Sequence, residues 1–141
     1  MSAEFQLDFN KTGGMIPAVV QEHGTGKILM LGFMTQEAFD KTILTGNVTF
    51  FSRSQNKLWT KGESSGHVLK LRELLVDCDL DSVVCIADQL GPGTCHEGYW
   101  SCFFRRVEDG RLVEVEPRRF DPKGVYPAKG PAKAVAKGEA K

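Results

Sequence analysis

The sequence lacks the features that would indicate a membrane, a secretory route or a nucleic-acid partner. Its 141 residues carry 18 Lys and Arg against 18 Asp and Glu, so a strongly basic nucleic-acid binder is not indicated. The longest apolar stretch, around residues 28–34, is far shorter than the roughly 20 residues of a membrane span. A basic N-terminal region followed by an apolar run is also missing. We therefore expect a cytoplasmic protein with no nucleic-acid or membrane partner.

The closely spaced cysteine pair of a zinc finger is absent. The four cysteines, Cys78, Cys85, Cys95 and Cys102, fall between residues 78 and 102. In a reducing compartment this clustering favours metal-binding or catalytic thiols over disulfides. Cys85 lies in the apolar run at residues 83–87, which predicts a core thiol. For the other three, burial as small apolar side chains is the alternative.

The charge is distributed unevenly along the chain. Residues 117–141 contain seven basic residues, against Asp121 and Glu139, and four of the six prolines. Such a segment buries too little apolar surface to offset the entropy of ordering it. The sequence therefore predicts a folded domain over residues 1–116 and a mobile basic tail over residues 117–141. A basic arm that contacts nucleic acid or another subunit is the alternative.

The remaining sequence predicts a strand-rich α+β fold with mostly antiparallel sheets and few short helices. Apolar runs and turns indicate hairpins over residues 15–34 and 102–116, the second with Asp-Gly at its tip. A helix is expected over residues 36–44, with Thr35 as its N-cap and Gly46 as its stop. Further strands are expected at residues 48–51, 57–60, 68–76 and 83–87.

Three carboxylates occupy alternate positions of the segment Asp77-Cys78-Asp79-Leu80-Asp81. In an extended chain, side chains at i, i+2 and i+4 point to one side, and hard oxygen ligands in that arrangement suit Mg²⁺. Like charges this close raise one another's pKa unless a cation neutralises them. Cys78 would point to the opposite side. The segment predicts a magnesium site at Asp77, Asp79 and Asp81, with a solvated acidic loop as the alternative.

A second cluster combines Cys95-His96 with Cys102, after a Gly-Pro-Gly turn. Thiolates select zinc among the common ions, and three protein ligands leave a tetrahedral position for a water whose pKa zinc lowers towards 7. His96 has three interpretations: metal ligand, general acid–base group or structural residue. We favour acid–base work because imidazole titrates near neutral pH.

Two polar stretches have the chemistry of a phosphate site. They combine hydroxyls, glycine amides and fixed positive charge, although the Walker pattern is absent. Trp59 could stack on a base, but an aromatic residue beside a strand is more often part of the core. The candidate substrate-binding residues are Ser52, Arg53, Ser54, Trp59, Lys61, Glu63, Ser64 and Ser65.

Taken in order, these motifs resemble the phosphoribosyl-AMP cyclohydrolase family of histidine biosynthesis. The resemblance covers roughly residues 28–104. It implies a reaction in which zinc-activated water attacks C6 of the N1-ribosylated adenine ring of phosphoribosyl-AMP and the N1–C6 bond opens. The motifs that carry it are Phe51-Ser-Arg-Ser54, Leu58 to Gly66, Asp77 to Asp81, Cys95-His-Glu-Gly98 and Ser101-Cys-Phe103.

The resemblance also implies roles for individual residues in an intertwined homodimer whose zinc site is shared between subunits. His96 matches the histidine after the second zinc cysteine. The chain departs from the usual pattern at Gln55, where Arg is common, and at His67, where Asn is common. The matching zinc thiolates are Cys78, Cys95 and Cys102. The matching magnesium carboxylates are Asp77, Asp79 and Asp81.

Two other functions remain open on the sequence alone. One is a different zinc-dependent nucleotide hydrolase or deaminase, although the deaminase pattern H-x-E…P-C-x-x-C is missing. The other is a non-catalytic binding module stabilised by zinc. A closed structural zinc site takes four protein ligands, so the number of ligands distinguishes that module from an enzyme.

Overall fold

A computed structural model of the protein describes residues 4–124, and the predicted tail beyond residue 124 lies outside that range. Strands dominate the described chain, which confirms the predicted α+β class. The elements are β1 (Ile16–Glu22), β2 (Ile28–Met34), α1 (Gln36–Thr45), β3 (Thr49–Ser52), β4 (Lys57–Thr60), β5 (Leu69–Val76), β6 (Val83–Gln89), β7 (Arg105–Glu108), β8 (Arg111–Glu114) and a 3₁₀ turn, Pro122–Gly124.

A four-stranded sheet with strand order β2-β1-β6-β5 forms the centre of the molecule. In β1, the buried residues Ile16, Ala18 and Val20 alternate with partly exposed ones, so one face of the strand enters the core. The β1–β2 pair is antiparallel, as the predicted hairpin requires, and β5–β6 is antiparallel too, whereas β1 and β6 pair in parallel. The predicted mostly antiparallel arrangement is therefore confirmed, with one parallel pair inside the central sheet.

Helix α1 begins and ends where its capping residues predict. The Thr35 side chain accepts a hydrogen bond from the Ala38 N–H at 3.2 Å. Gly46 adopts a left-handed conformation, with φ of 78°, and its N–H donates to the Thr42 carbonyl. The helix buries Ala38 and Phe39 in the core. Within residues 4–124, no helix has the length and apolar character needed to cross a membrane.

The β3–β4 hairpin carries a polar loop at each end. Its register pairs Ser52 with Lys57 at the turn and Thr49 with Thr60 at the other end. The buried Phe50 packs on Trp59, with ring centroids 5.7 Å apart. Four residues at about 3.4 Å each separate the two ends by about 10–13 Å.

The β7–β8 hairpin extends from the body of the protein. Its tip is Asp109-Gly110, both with positive φ, which is the turn that the sequence predicts. The first strand begins at Arg105 rather than at Cys102, because residues 102–104 belong to the preceding loop. In the described part of the chain, β7 and β8 pair only with each other.

Candidate active site

The loop between β6 and β7 forms a tight turn around Cys95. The Cys95 N–H donates to the Tyr99 carbonyl, and the Gly98 N–H donates to the Cys95 carbonyl, both at 3.0 Å. The Glu97 N–H points at the sulfur itself, 3.4 Å from Cys95 Sγ. Because a donor to sulfur stabilises the thiolate form, the turn suits Cys95 as a metal ligand.

Cys102 lies in the same small cluster as Cys95. Its N–H donates to the Leu29 carbonyl at 2.8 Å, and the neighbouring Ser101 hydroxyl donates to the Ile28 carbonyl at 2.7 Å. These bonds fix the second cysteine against the start of β2. The structure therefore brings two of the three predicted zinc thiols together. The aromatic residues of this cluster are Tyr99 and Phe104.

Lys61 is a buried cation beside these two thiols. It follows β4, and only 5% of the residue is exposed. Burial lowers the pKa of Lys61, while the nearby Cys102 and Cys95 act in the opposite direction. Its ammonium lies 5.5 Å from the centre of the Trp59 ring. Among the ion pairs of residues 4–124, none includes Lys61.

His67, a departure from the usual family pattern, is buried next to Lys61. Burial lowers the pKa of this imidazole, and the charge of Lys61 lowers it further. The ring packs edge-on against Phe120, with centroids 5.2 Å apart. Gly91 makes this position possible, since a β-carbon there would lie 2.5 Å from the His67 ring. The sequence marks His67 as unusual but does not indicate its burial.

Residues 118–120, at the start of the predicted tail, lie against the Cys95 turn. The Phe120 N–H donates to the Gly98 carbonyl at 3.2 Å. The guanidinium of Arg118 lies 5.4 Å from the Tyr99 ring centre. Gly98 has φ of 100°, and a β-carbon there would overlap the Phe120 carbonyl oxygen. The folded contacts therefore continue past residue 116.

His96 lies in the turn that Cys95 and Gly98 close. It is half-buried and directly follows the cysteine whose sulfur accepts the Glu97 N–H. His96 therefore lies beside a candidate metal ligand, and its acid–base role stays a prediction.

The turn between β3 and β4 holds the first predicted phosphate group of residues. The Ser52 and Ser54 hydroxyl oxygens are 3.4 Å apart, and the Gln55 N–H donates to Ser52 Oγ at 3.2 Å. The exposed Arg53 guanidinium lies 4.2 Å from the Phe33 ring centre. Arg53 is thus an accessible cation among hydroxyls, as an anion site requires.

In the second polar loop, two of the predicted side chains form hydrogen bonds that shape the loop itself. Glu63 accepts the Thr60 N–H at 3.0 Å, and Ser65 accepts the His67 N–H at 3.2 Å. Ser64 is exposed to solvent. Trp59 packs on the core beside Phe50, so the core interpretation of this residue holds in the structure.

The three aspartates lie together, but the predicted extended segment is wrong. Residues 77–81 form a turn in which Leu80 has φ of 65°. Asp77 Oδ1 accepts the Asp81 N–H at 3.0 Å, and Asp77 Oδ2 accepts the Ser82 hydroxyl at 2.6 Å. The turn therefore brings the carboxylates within 4.8 Å of one another. We call residues 77–81 the acidic loop.

A lysine that the sequence did not single out contacts the acidic loop. Lys11 Nζ lies 3.0 Å from Asp79 Oδ2 and 3.2 Å from Asp81 Oδ2. The hydroxyl of Ser82 and the loop amides hold the pKa of Asp77 far below its usual range, whereas Asp79 raises the pKa of Asp81. The oxygen donors suit a hard cation, and the ammonium stands where such an ion would bind.

The other two cysteines have different surroundings. Cys85 is fully buried in β6, and burial raises the pKa of its thiol to about 12, which confirms the core prediction. Cys78 is exposed in the acidic loop. Within residues 4–124, the aspartate cluster is the one group of three ligands placed to hold an ion, so Cys78 does not join Cys95 and Cys102 in a single chain.

The pair of thiols and the cluster of three carboxylates are two candidate metal sites. The sequence profile of phosphoribosyl-AMP cyclohydrolase matches residues 30–104. A protein of that name from Solibacter usitatus is 53% identical over 123 residues, which span 87% of this chain and 98% of that protein. Another, from Desulforapulum autotrophicum, is 53% identical over 122 residues, 86% of this chain and 98% of that protein. A third, from Nitratidesulfovibrio vulgaris, is 46% identical over 122 residues, 86% and 97% of the two chains.

The chain therefore belongs to the phosphoribosyl-AMP cyclohydrolase family, a family of hydrolases that act on a carbon–nitrogen bond.

Proposed function

We propose that this chain is a cytoplasmic phosphoribosyl-AMP cyclohydrolase, which opens the N1–C6 bond of the N1-ribosylated adenine ring in histidine biosynthesis. The observation that carries the proposal is the pairing of Cys95 with Cys102 beside the buried Lys61. This cluster lies in the region that matches the family profile. A pair of thiols, one with an N–H donor on its sulfur, has the chemistry of a zinc site.

Zinc would be held by Cys95 and Cys102 of one chain together with Cys78 of a second chain. Cys78 supports this arrangement because it is exposed and lies apart from the pair within its own chain. When bound, zinc supplies a hydroxide nucleophile at neutral pH. Mg²⁺ would be held by the second set of ligands, Asp77, Asp79 and Asp81.

A homodimer follows from this division of ligands, and the β7–β8 hairpin supports it. Val107 and Leu112 lie opposite each other in the hairpin, with 74% and 59% of each residue exposed. An isolated pair of strands is marginally stable in water, and an exposed apolar patch marks an interaction surface. We place this hairpin, with the exposed Phe103 and Val115 beside it, in the contact with the second chain.

His96 would move the proton that the reaction requires. The attacking water loses a proton as its oxygen bonds to C6, and N1 gains one as the N1–C6 bond breaks. An imidazole beside a metal ligand can accept the first proton and donate it to N1. The position of His96 directly after Cys95 supports this assignment.

The two ends of the β3–β4 hairpin would hold the two phosphates of the substrate. Ser52, Arg53 and Ser54 offer hydroxyls and an exposed guanidinium at one end. The loop of Lys61, Glu63, Ser64 and Ser65 offers amides and the exposed Ser64 hydroxyl at the other. The separation of the ends, about 10–13 Å, suits a substrate with a phosphate on each ribose. Trp59 would support this loop from the core side, by packing on Phe50 and under Lys61, rather than stack on a base.

The test is to incubate the purified protein with phosphoribosyl-AMP and follow ring opening by absorbance. We expect turnover by the zinc-loaded protein, loss of turnover with a strong chelator, and recovery when zinc is restored. Zinc-loaded protein that binds phosphoribosyl-AMP without opening the ring would contradict the proposal and favour a binding module. Release of ammonia from an adenine nucleotide, without ring opening, would favour a deaminase.

A further inference from the structure

The segment before β1 presents Lys11 to the acidic loop through contacts that do not involve the lysine side chain. Leu7 is buried in the core. The Asp8 N–H donates to the Leu80 carbonyl at 2.7 Å, and the Lys11 N–H donates to Asp8 Oδ1 at 3.1 Å. The backbone that carries Lys11 is therefore held against the loop independently of its ammonium group.

The ammonium of Lys11 contacts the same oxygens that would bind a divalent ion. It bridges Asp79 and Asp81, at 3.0 Å and 3.2 Å. Both oxygens of Asp77 already accept hydrogen bonds, from the Asp81 N–H of the loop and from the hydroxyl of the adjacent Ser82. The carboxylates with most freedom to bind an ion are thus the two that Lys11 occupies.

We infer that Lys11 is an internal competitor for the divalent cation of the acidic loop, and this inference rests on the magnesium site proposed above. A monovalent ammonium and a divalent ion compete for the same carboxylate oxygens, because their charges repel at such distances. The ion binds as the lysine side chain leaves. Without the ion, Lys11 offsets the repulsion among the aspartates and preserves the loop.

Both the ammonium and the acidic loop are partly exposed, and this exposure limits how much Lys11 can weaken cation binding. Lys11 is 44% exposed, so solvent screens its attraction to the carboxylates. Removing the competitor should therefore tighten cation binding by about five- to tenfold, in the range of a surface charge network. The effect should decrease as the salt concentration rises, since the interaction is electrostatic.

The experiment measures the dissociation constant of Mn²⁺ by calorimetry on the full-length, zinc-loaded protein. The variants are Lys11→Met, which removes the charge, and Lys11→Arg, which keeps it. Lys27→Met is the matched control, because Lys27 pairs with Glu116 at 2.6 Å and not with the acidic loop. We expect tighter binding for Lys11→Met alone, with the other two within about twofold of the parent. In Asp79→Asn the heat of Mn²⁺ binding to the acidic loop should be lost, so this variant identifies which part of the measured heat comes from the loop.

A Lys11→Met variant that binds Mn²⁺ with unchanged or weaker affinity would overturn the inference while leaving the magnesium site in place. If neither the parent nor Lys11→Met binds Mn²⁺ in a manner sensitive to Asp79→Asn, the site itself is wrong, and the inference is wrong with it. A second measurement does not depend on calorimetry. The rise in thermal midpoint on adding Mn²⁺ should be larger for Lys11→Met than for the parent, and an equal or smaller rise would also overturn the inference.

Discussion

The acidic loop and the thiol cluster differ in how much of a metal site one chain supplies. The acidic loop gathers three carboxylates from five consecutive residues, and a lysine of the same chain pairs with two of them. The thiol cluster is buried and gathers Cys95 and Cys102 next to Lys61, while Cys78 lies elsewhere. One site is local and exposed, whereas the other is buried and contains two of its three proposed ligands.

The two ions proposed for these sites would account for the difference. A hard cation such as Mg²⁺ keeps several waters, so an exposed loop with a few oxygens is sufficient. Zinc that activates water takes three protein ligands in a site shielded from solvent. A short chain can meet the second requirement by sharing ligands across a subunit contact. The proposed function therefore gives the catalytic metal to the thiol cluster and a supporting role to the acidic loop.

The largest effect is expected from removing one thiol of the cluster. Cys95→Ala should lose zinc and lower kcat by at least about 1,000-fold, because the nucleophile depends on the metal. Zinc content is measured by atomic absorption and kcat by the ring-opening assay. Cys85→Ala is the matched control. It should keep its zinc and lose only stability, by about 1–2 kcal/mol for a small cavity in β6.

Equal loss of zinc in Cys85→Ala and Cys95→Ala would show that the thiol cluster is not the zinc site.

The next effect concerns the histidine beside the cluster. His96→Ala should keep zinc and fold but lower kcat by about 100- to 10,000-fold, the usual contribution of a positioned acid–base group. Zinc content, thermal midpoint and kcat are measured on the same variant. Depletion of zinc would make His96 a ligand, and a kcat within about threefold of the parent would remove it from the mechanism. His23→Ala, at an exposed histidine, is the control.

A smaller effect is expected where residues 118–120 cover the cluster. A chain that ends at residue 124 should have nearly normal activity, since it retains the contacts of Phe120 with Gly98 and His67. A chain that ends at residue 119 should lose several degrees of thermal midpoint, because it exposes a buried imidazole and an apolar contact. Differential scanning fluorimetry of the two truncations tests this, and equal midpoints would show that Phe120 contributes nothing.

The smallest effect is a pH dependence of stability through His67. The fold lowers the pKa of His67 below its unfolded value, because burial disfavours the charged ring. The contribution of neutral His67 to the free energy of unfolding is fully present above pH 6.5, about the pKa of the unfolded chain. As the pH falls below that value, the unfolded chain binds a proton that the fold resists, so stability decreases.

Urea unfolding of the zinc-free protein between pH 7.5 and pH 5 measures this dependence. The free energy of unfolding should change less steeply with pH in His67→Asn than in the parent. His23→Asn serves as the control and should keep the slope of the parent. Identical slopes in the parent and His67→Asn would contradict the assigned burial.

Local signals in the sequence were sufficient for the elements that depend on neighbouring residues. The cap and stop of α1, Thr35 and Gly46, act within one turn of chain, and the Asp109-Gly110 turn fixes its own hairpin. The parallel pairing of β1 with β6 could not be predicted in this way, because alternation shows which face is buried and not which strand lies alongside.

Local sequence signals were also insufficient for the surroundings of the two candidate metal sites. The cysteines and aspartates carry the family motifs, so their identity was evident, but their surroundings depend on distant segments. Lys11 reaches Asp79 across 68 positions, and no local pattern connects the two. Lys61 is likewise buried near Cys95 and Cys102, which lie far from it in the sequence, and its sequence context indicated only a charge in a glycine-rich loop.

Mixed dimers test whether the thiol cluster takes its third ligand from a second chain. Inactive Cys78→Ala and Cys102→Ala chains are dissociated, mixed in equal amounts, re-associated with zinc and assayed for ring opening. If the site is shared, each heterodimer has one intact site, and random pairing restores about a quarter of the parent activity. Heterodimers verified by mass that show no activity above either variant alone would contradict a shared zinc site.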